Sequence, residues 1–298
     1  MKRKIVRHGE STMTISLPAK WLKKLNIHKG DEVDIREKEN HLIIAVDEEK
    51  AKTEITLNIA SLEESSIRTI IANAYRLGYD KINVKFNNSD TIKLITEIVE
   101  KSLLGFEVIK KDKNECIIES VTEPSKEQYE NIFSKVFLNI EELFNVLQLR
   151  LNGERQEFQE IDKKIQQYDN FCRRIIAKRG VYENNFLQWQ FHSEIIHGAR
   201  ELYHLLNYLS KNKIKITKYD LEMLKNCREI FEMLKKAYIN KDLSLADRIR
   251  EFEKEITYKK GYLSLNSSAN PIIVFHLIVI VKHFYLANSP LTGIIINN

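Results

Sequence analysis

Eight lysines and arginines fall within residues 1–30 against the single acid Glu10, a local charge of +7 in a chain whose net charge is only +5. Such a cluster does one kind of chemistry well, the neutralisation of phosphate oxygens. Residues 31–50 reverse the sign, with three basic and eight acidic side chains. A nucleic-acid face would then adjoin a face suited to solvent or a partner. Within the basic stretch Lys20, Lys23 and Lys24 stand at i, i+3 and i+4, opposite Trp21, Leu22 and Leu25 on the same predicted helix. Far downstream, Glu194, His197, Glu201 and His204 form one stripe at i, i+3, i+7 and i+10. Carboxylate and imidazole together suit a divalent ion. One straight helix offers an ion only two of these groups, and no His/Cys cluster elsewhere in the sequence supplies the rest. The stripe therefore reads as a polar seam between helices or toward a partner.

Other chemistry is scarce. The three cysteines, Cys116, Cys172 and Cys227, lie far apart without CxxC spacing, which excludes a zinc knuckle or a disulfide framework and leaves reduced, mostly buried thiols. There is no phosphate-binding glycine loop, no G-x-S-x-G elbow and no dinucleotide fingerprint, so no catalytic residue and no cofactor is expected. His8, His28, His41, His276 and His283 read as surface or satisfied core residues. A composition of 43% hydrophobic and 30% charged residues, with 9 Gly and 4 Pro, is that of a folded, helix-rich protein. Without an apolar leader, the chain is expected in the cytoplasm. The run PIIVFHLIVIV at 271–281 ends at Lys282 and His283; it is too short for a bilayer span, so a buried helix and no membrane insertion are expected.

The elements that must carry these groups fall into three regions, with boundaries at 1–49, 50–123 and 124–298. The first reads as strand (4–7), a turn at Gly9, strand (13–17), helix from Pro18 to Leu25, a turn at Lys29-Gly30-Asp31, and strands at 32–37 and 42–46. So few residues cannot bury a core. With no metal or disulfide, the remaining remedy is a second copy, and a two-fold pair would duplicate the basic face to match a two-fold DNA site. The second region follows a βαβαββ order: strands at 54–59, 81–86, 106–111 and 116–121, with helices at 62–77 and 89–104 ending at Gly78 and Gly105. From Pro124 on, helices are expected at about 126–151, 155–178, 184–211, 218–240, 242–259 and 271–288. Ile161, Ile165, Tyr168, Asp169 and Cys172 recur in order and spacing as Leu245, Ile249, Phe252, Glu253 and Ile256, and Phe191-His192 as Phe275-His276. This points to two three-helix bundles in tandem.

RHGESTMTISLPAKWLKKLNIHKGDEVDIREKENHLIIA, with its glycine turn, alternating strand, LP-x-K helix and KGD-x-V strand, resembles the swapped-hairpin DNA-binding module of the AbrB/MazE/SpoVT family. The resemblance implies that two chains intertwine into one small barrel. It also implies that Lys2, Arg3, Lys4, Arg7 and His8 contact DNA, with Lys20, Lys23 and Lys24 as weaker candidates; Lys23 and Lys24 equally suit a solvated face. The helical region resembles PhoU, the phosphate-uptake regulator, through EIDKKIQQYDNFCRRI at 160–175. The whole layout is similar to archaeal PhoU-related regulators with an AbrB-type head.

PhoU proteins hold metal clusters through acidic residues four apart, but here those pairs read Asp162/Gln166, Glu194/Gly198, Ala246/Arg250 and Ile278/Lys282. No metal is expected at these positions. The implied protein is a homodimeric regulator that binds double-stranded DNA and controls phosphate uptake, with a PhoU-like sensor or a docking surface for a phosphate-transport or signalling protein. The rival is a protein-interaction regulator, such as an antitoxin or transporter modulator, whose head only dimerises.

Overall fold

The computed structural model describes residues 2–38, 41–45, 53–122, 125, 127–179, 185–267 and 270–297. Val46 and Pro124, assigned above to a strand end and a region boundary, lie outside them. The chain divides into two compact units, Met1–Thr53 and Glu54–Asn298.

In the first unit, β1 (Ile5–His8) pairs antiparallel with β2 (Thr12–Ile15) across the Gly9 turn, with Ile5 opposite Ile15 and Arg7 opposite Met13. Helix α1 (Ala19–Lys24) follows Pro18, and β3 (Asp34–Lys38) and β4 (His41–Ala45) form a second hairpin. Asp31 closes the intervening turn: its carboxylate accepts from the His28 N–H at 2.8 Å, and its own N–H donates to the His28 carbonyl. The expected strands and helix are all present. No described residue of this unit is buried, and Ile5, Met13 and Ile15 are 69%, 67% and 51% exposed. The two hairpins are separate two-stranded sheets. A single chain closes no barrel and builds no core here.

The second unit opens with β5 (Glu54–Asn58), α2 (Glu64–Arg76), β6 (Lys81–Lys85), α3 (Thr91–Ser102), β7 (Phe106–Lys111) and β8 (Glu115–Ser120). The sheet order is β5-β6-β8-β7: β5 and β6 are parallel through the α2 crossover, and the other pairs are antiparallel. Period-2 alternation buries Ile82 and Val84 of β6 and Cys116 and Ile118 of β8. Gly78 and Gly105, in the left-handed region, end the two helices as read from the sequence.

The rest is helical: α4 (Gln128–Leu151), α5 (Gln159–Arg179), α6 (Asn185–Lys211), α7 (Lys218–Asn240), α8 (Leu243–Lys254), a π-turn (Glu255–Gly261), α9 (Tyr262–Ser267) and α10 (Pro271–Ile296). A capping box starts α7, with Thr217 and Asp220 satisfying each other's backbone N–H. The first three helices pack together, as do α7, α8 and α10, and the α6–α10 contact joins the sets. One apolar cluster runs through all of them from Tyr129 to Ile294.

Two expectations need correction. The helix expected at 242–259 stops at Lys254 and widens into the π-turn, which ends at Gly261, where an added Cβ would lie 3.0 Å from the Ile278 side chain of α10. The last helix does not stop near 288 but continues through Pro290 to Ile296. It is long and apolar enough to cross a bilayer, so the length argument above fails. Burial is the better guide: Val274, Leu277, Val281, Phe284 and Leu291 are fully enclosed by the other helices.

The α/β layer and the helices share one unit because α5 docks on α2 and α3. Arg174 of α5 is fully buried and donates to the Tyr75 and Tyr79 carbonyls at 3.0 and 2.8 Å and to the Asp80 carboxylate at 2.6 Å. Lys178 reaches the same carboxylate. One turn earlier, Asn170 accepts from Arg76 at 2.7 Å and donates to the Ser102 carbonyl at 2.9 Å. Residues 170, 174 and 178 thus form an i, i+4, i+8 row aimed at the layer.

Candidate functional site

The basic residues assigned above to DNA contact are all exposed. Lys2, Arg3 and Lys4 precede β1, and Arg7 and His8 close it beside the Gly9 turn. Lys20, Lys23 and Lys24 point to solvent from α1, while Trp21, Leu22 and Leu25 are half-buried behind them, as helical spacing requires. The sequence did not disclose what Arg7 does within its own hairpin. Its Nε donates to the Gly9 carbonyl at 3.2 Å and its Nη2 to the Glu10 carbonyl at 2.9 Å. The guanidinium braces the turn with two of its five N–H groups and keeps three for other partners.

The helical region contains a buried polar row. His192 sets Nδ1 3.2 Å from Asp169 and Nε2 2.7 Å from the Tyr129 hydroxyl, and Gln188 donates to the same hydroxyl. Arg173 donates through Nε to both Asp169 oxygens at 3.0 and 2.8 Å. Burial pushes the Asp169 carboxyl up, but Arg173, His192 and Arg76 outweigh it and hold it below the ordinary value. Burial keeps the His192 imidazole below its ordinary value too. A neutral ring that donates from Nδ1 and accepts at Nε2 fits both neighbours. The row has the form of an acid–base relay, yet Asp169, His192 and Tyr129 are all buried in the core. Without substrate access, its work is to fix the packing of α4, α5 and α6.

The sequence repeat holds in part. Glu253, the counterpart of Asp169, is also buried and also meets a cation, Lys282 Nζ at 2.8 Å. Burial opposes the Lys282 charge, but Glu253 and the Tyr258 hydroxyl outweigh it and raise its pKa. Phe191, in contrast, is fully buried while Phe275 is 54% exposed. The acid pairs read as broken are engaged otherwise: Gln166 donates to Asp162 at 2.6 Å, and burial raises the Asp162 carboxyl.

The Glu/His stripe of α6 faces α10. His283 Nδ1 lies 3.0 Å from Glu194 Oε2, and His276 Nδ1 lies 2.6 Å from Glu201 Oε1. The numbers rise along one helix and fall along the other, so the two run antiparallel. The His197 and His283 rings meet edge-on at 5.2 Å, and ligand atoms of Glu194, His197 and His283 all lie within 4.8 Å of one another. Burial, then His283, lowers the His197 pKa. His283, read above as a surface or satisfied core residue, is half-buried and satisfied by Glu194, which places it in the seam between α6 and α10. His204 is not part of this cluster.

A cavity of about 530 Å³ is lined by Arg150, Arg155, Lys211, Lys213 and Lys215, with no carboxylate among its lining residues. Its chemistry suits an anion. The thiols do not suit catalysis: all three are buried and free, and burial pushes Cys116 up to about 12 and raises Cys172 and Cys227.

Residues 7–55 match the family model described as "Antidote-toxin recognition MazE, bacterial antitoxin". The match covers the head and reaches no further than the start of β5. No curated protein and no solved structure matches the chain. A MazE-like module therefore leads into an α/β layer and a long helical region.

Proposed function

We propose that this chain is a homodimeric, non-catalytic DNA-binding regulator whose helical region senses a signal or docks a partner. The observation that carries the reading is the head: a MazE-like module with no buried residue among those described, with a basic face and an open apolar one. Exposed Ile5, Met13, Ile15, Ile35 and Leu42 need cover, and a second intertwined copy supplies it by completing the barrel. Pairing the heads doubles the +7 charge of residues 1–30 on one surface. Arg3 and Arg7 are the base or groove readers, because a planar guanidinium makes bidentate contacts that lysine cannot. Lys2, Lys4, Lys20, Lys23 and Lys24 hold phosphates. Control of phosphate uptake and a cytoplasmic location follow from the PhoU resemblance and the composition alone.

The second reading, an antitoxin-like protein that binds another protein rather than an operator, is favoured by the description of the matching family. Genome-wide mapping of bound DNA, with the Arg7→Ala variant beside it, separates the two. Discrete sites lost in the variant support the regulator; no enrichment over input DNA favours the protein-binding role.

A further inference from the structure

Glu194 and His197 stand one turn apart on α6, and His283 faces them from α10. The two helices approach each other closely here. Gly198 lies against the Phe284 ring so closely that an added Cβ would fall 2.5 Å from Cε1. That close approach sets His283 between Glu194, at 3.0 Å, and the edge of the His197 ring. Two imidazoles and one carboxylate, all within 4.8 Å of one another, are the donor number and type of an open three-ligand zinc site. His197 is exposed and Glu194 and His283 are half-buried, so an ion can enter and keep a water at a fourth position. Of the cations around the cluster, Arg173 is held by Asp169 and Ser193 and Lys282 by Glu253 and Tyr258, while exposed Arg200 bears on His197 as a like charge that a bound ion must outweigh.

We infer that Glu194, His197 and His283 bind one divalent transition-metal ion, zinc by donor type, and that the ion clamps α6 to α10. Binding at His283 Nδ1 replaces its contact with the Glu194 carboxylate by the metal, and the neutral ring then carries its one proton on Nε2. The site is not one of the acidic pairs four apart: Glu194 takes its partners from i+3 and from the facing helix, and Gly198 and Asp162 take no part. The inference is independent of DNA binding by the head.

The test uses the full chain without a polyhistidine tag, stripped with chelator and titrated with zinc, then with cobalt as a spectroscopic substitute. One zinc per chain is expected, with visible cobalt bands of low-coordinate N/O ligation and a melting temperature that rises with zinc concentration. Losing a ligand should cost more than the roughly 10–100-fold that loss of a ligand's hydrogen-bond partner costs. His197→Ala and His283→Gln should each therefore weaken zinc binding by about 100-fold or more. His197 is exposed, so its variant keeps the fold, and circular dichroism confirms it. Asp162→Asn and His204→Ala should bind as the parent does. Absence of saturable zinc binding, or binding unchanged in the His197→Ala/His283→Gln double variant, overturns the inference. So does loss on Asp162→Asn alone, which would put the ion elsewhere.

Discussion

At the scale of single residues, the same side-chain types do different work according to burial. Arg7 is exposed but tied to the Gly9 and Glu10 carbonyls, whereas Arg173 is buried with Asp169 as its counter-charge. Arg7→Ala should cost about 1–3 kcal/mol on a preferred duplex and relax its specificity, whereas Lys23→Ala should weaken all duplexes alike. Titration of labelled duplexes, with hairpin order checked by NMR, measures both. Asp169→Ala leaves the Arg173 guanidinium buried and uncompensated, so urea unfolding should show a loss of about 3–5 kcal/mol. The row also sets a pH dependence. Asp169 and His192 both have folded pKa values below their ordinary ones. The unfolded chain therefore binds more protons in acid, and stability falls as pH falls. The loss should begin below about pH 6.5, where a free imidazole charges, and continue through the carboxylate range. His192→Phe should remove the first part of that slope in urea midpoints measured against pH.

At the scale of elements, α5 joins the α/β layer to the helical core. Its sequence carries one face for the helical core (Ile165, Cys172, Ile176) and another for the α/β layer (Asn170, Arg174, Lys178). Asp80→Ala strips the carboxylate from fully buried Arg174 and should cost about 3–5 kcal/mol. Hydrogen exchange should then show β6 and β8 opening before α4 and α6, where the parent opens both together. Equal loss of protection across the unit would count against α5 as the joint.

At the scale of the whole molecule, the contrast is between a second unit with two apolar clusters, one in the α/β layer and one through the helices, and a head with no buried side chain among its described residues. The proposed pairing of heads would cover the exposed Ile15. Ile15→Asp should cost several kcal/mol of association and shift the chain from dimer to monomer in sedimentation at low concentration. A parent chain already monomeric would sink the proposed assembly. If the paired heads neutralise six or more phosphates, log K against log salt should fall with a slope of about −5 or steeper. Deleting the helical region should leave that slope in place.

The chain's own order of residues determined the local elements. Alternation set β1 to β8, glycines stopped α2 and α3, and helical spacing put Lys20, Lys23 and Lys24 on one side of α1. It also gave the basic charge of the head and, through its turn-helix-turn pattern, the MazE-like module that the family match shows. These are legible because each depends on residues within a few positions of one another. What only the tertiary structure decided depends on distant segments meeting. His283 was one histidine among several until α10 lay antiparallel to α6 and set it beside Glu194 and His197. Arg174 is buried against Asp80 only because α5 docks on the α/β layer, and Gly261, at the end of the π segment, packs closely on Ile278 from α10. Local sequence encodes the period of an element but not which face of a second element it will meet. That choice is made by the packing of the whole core.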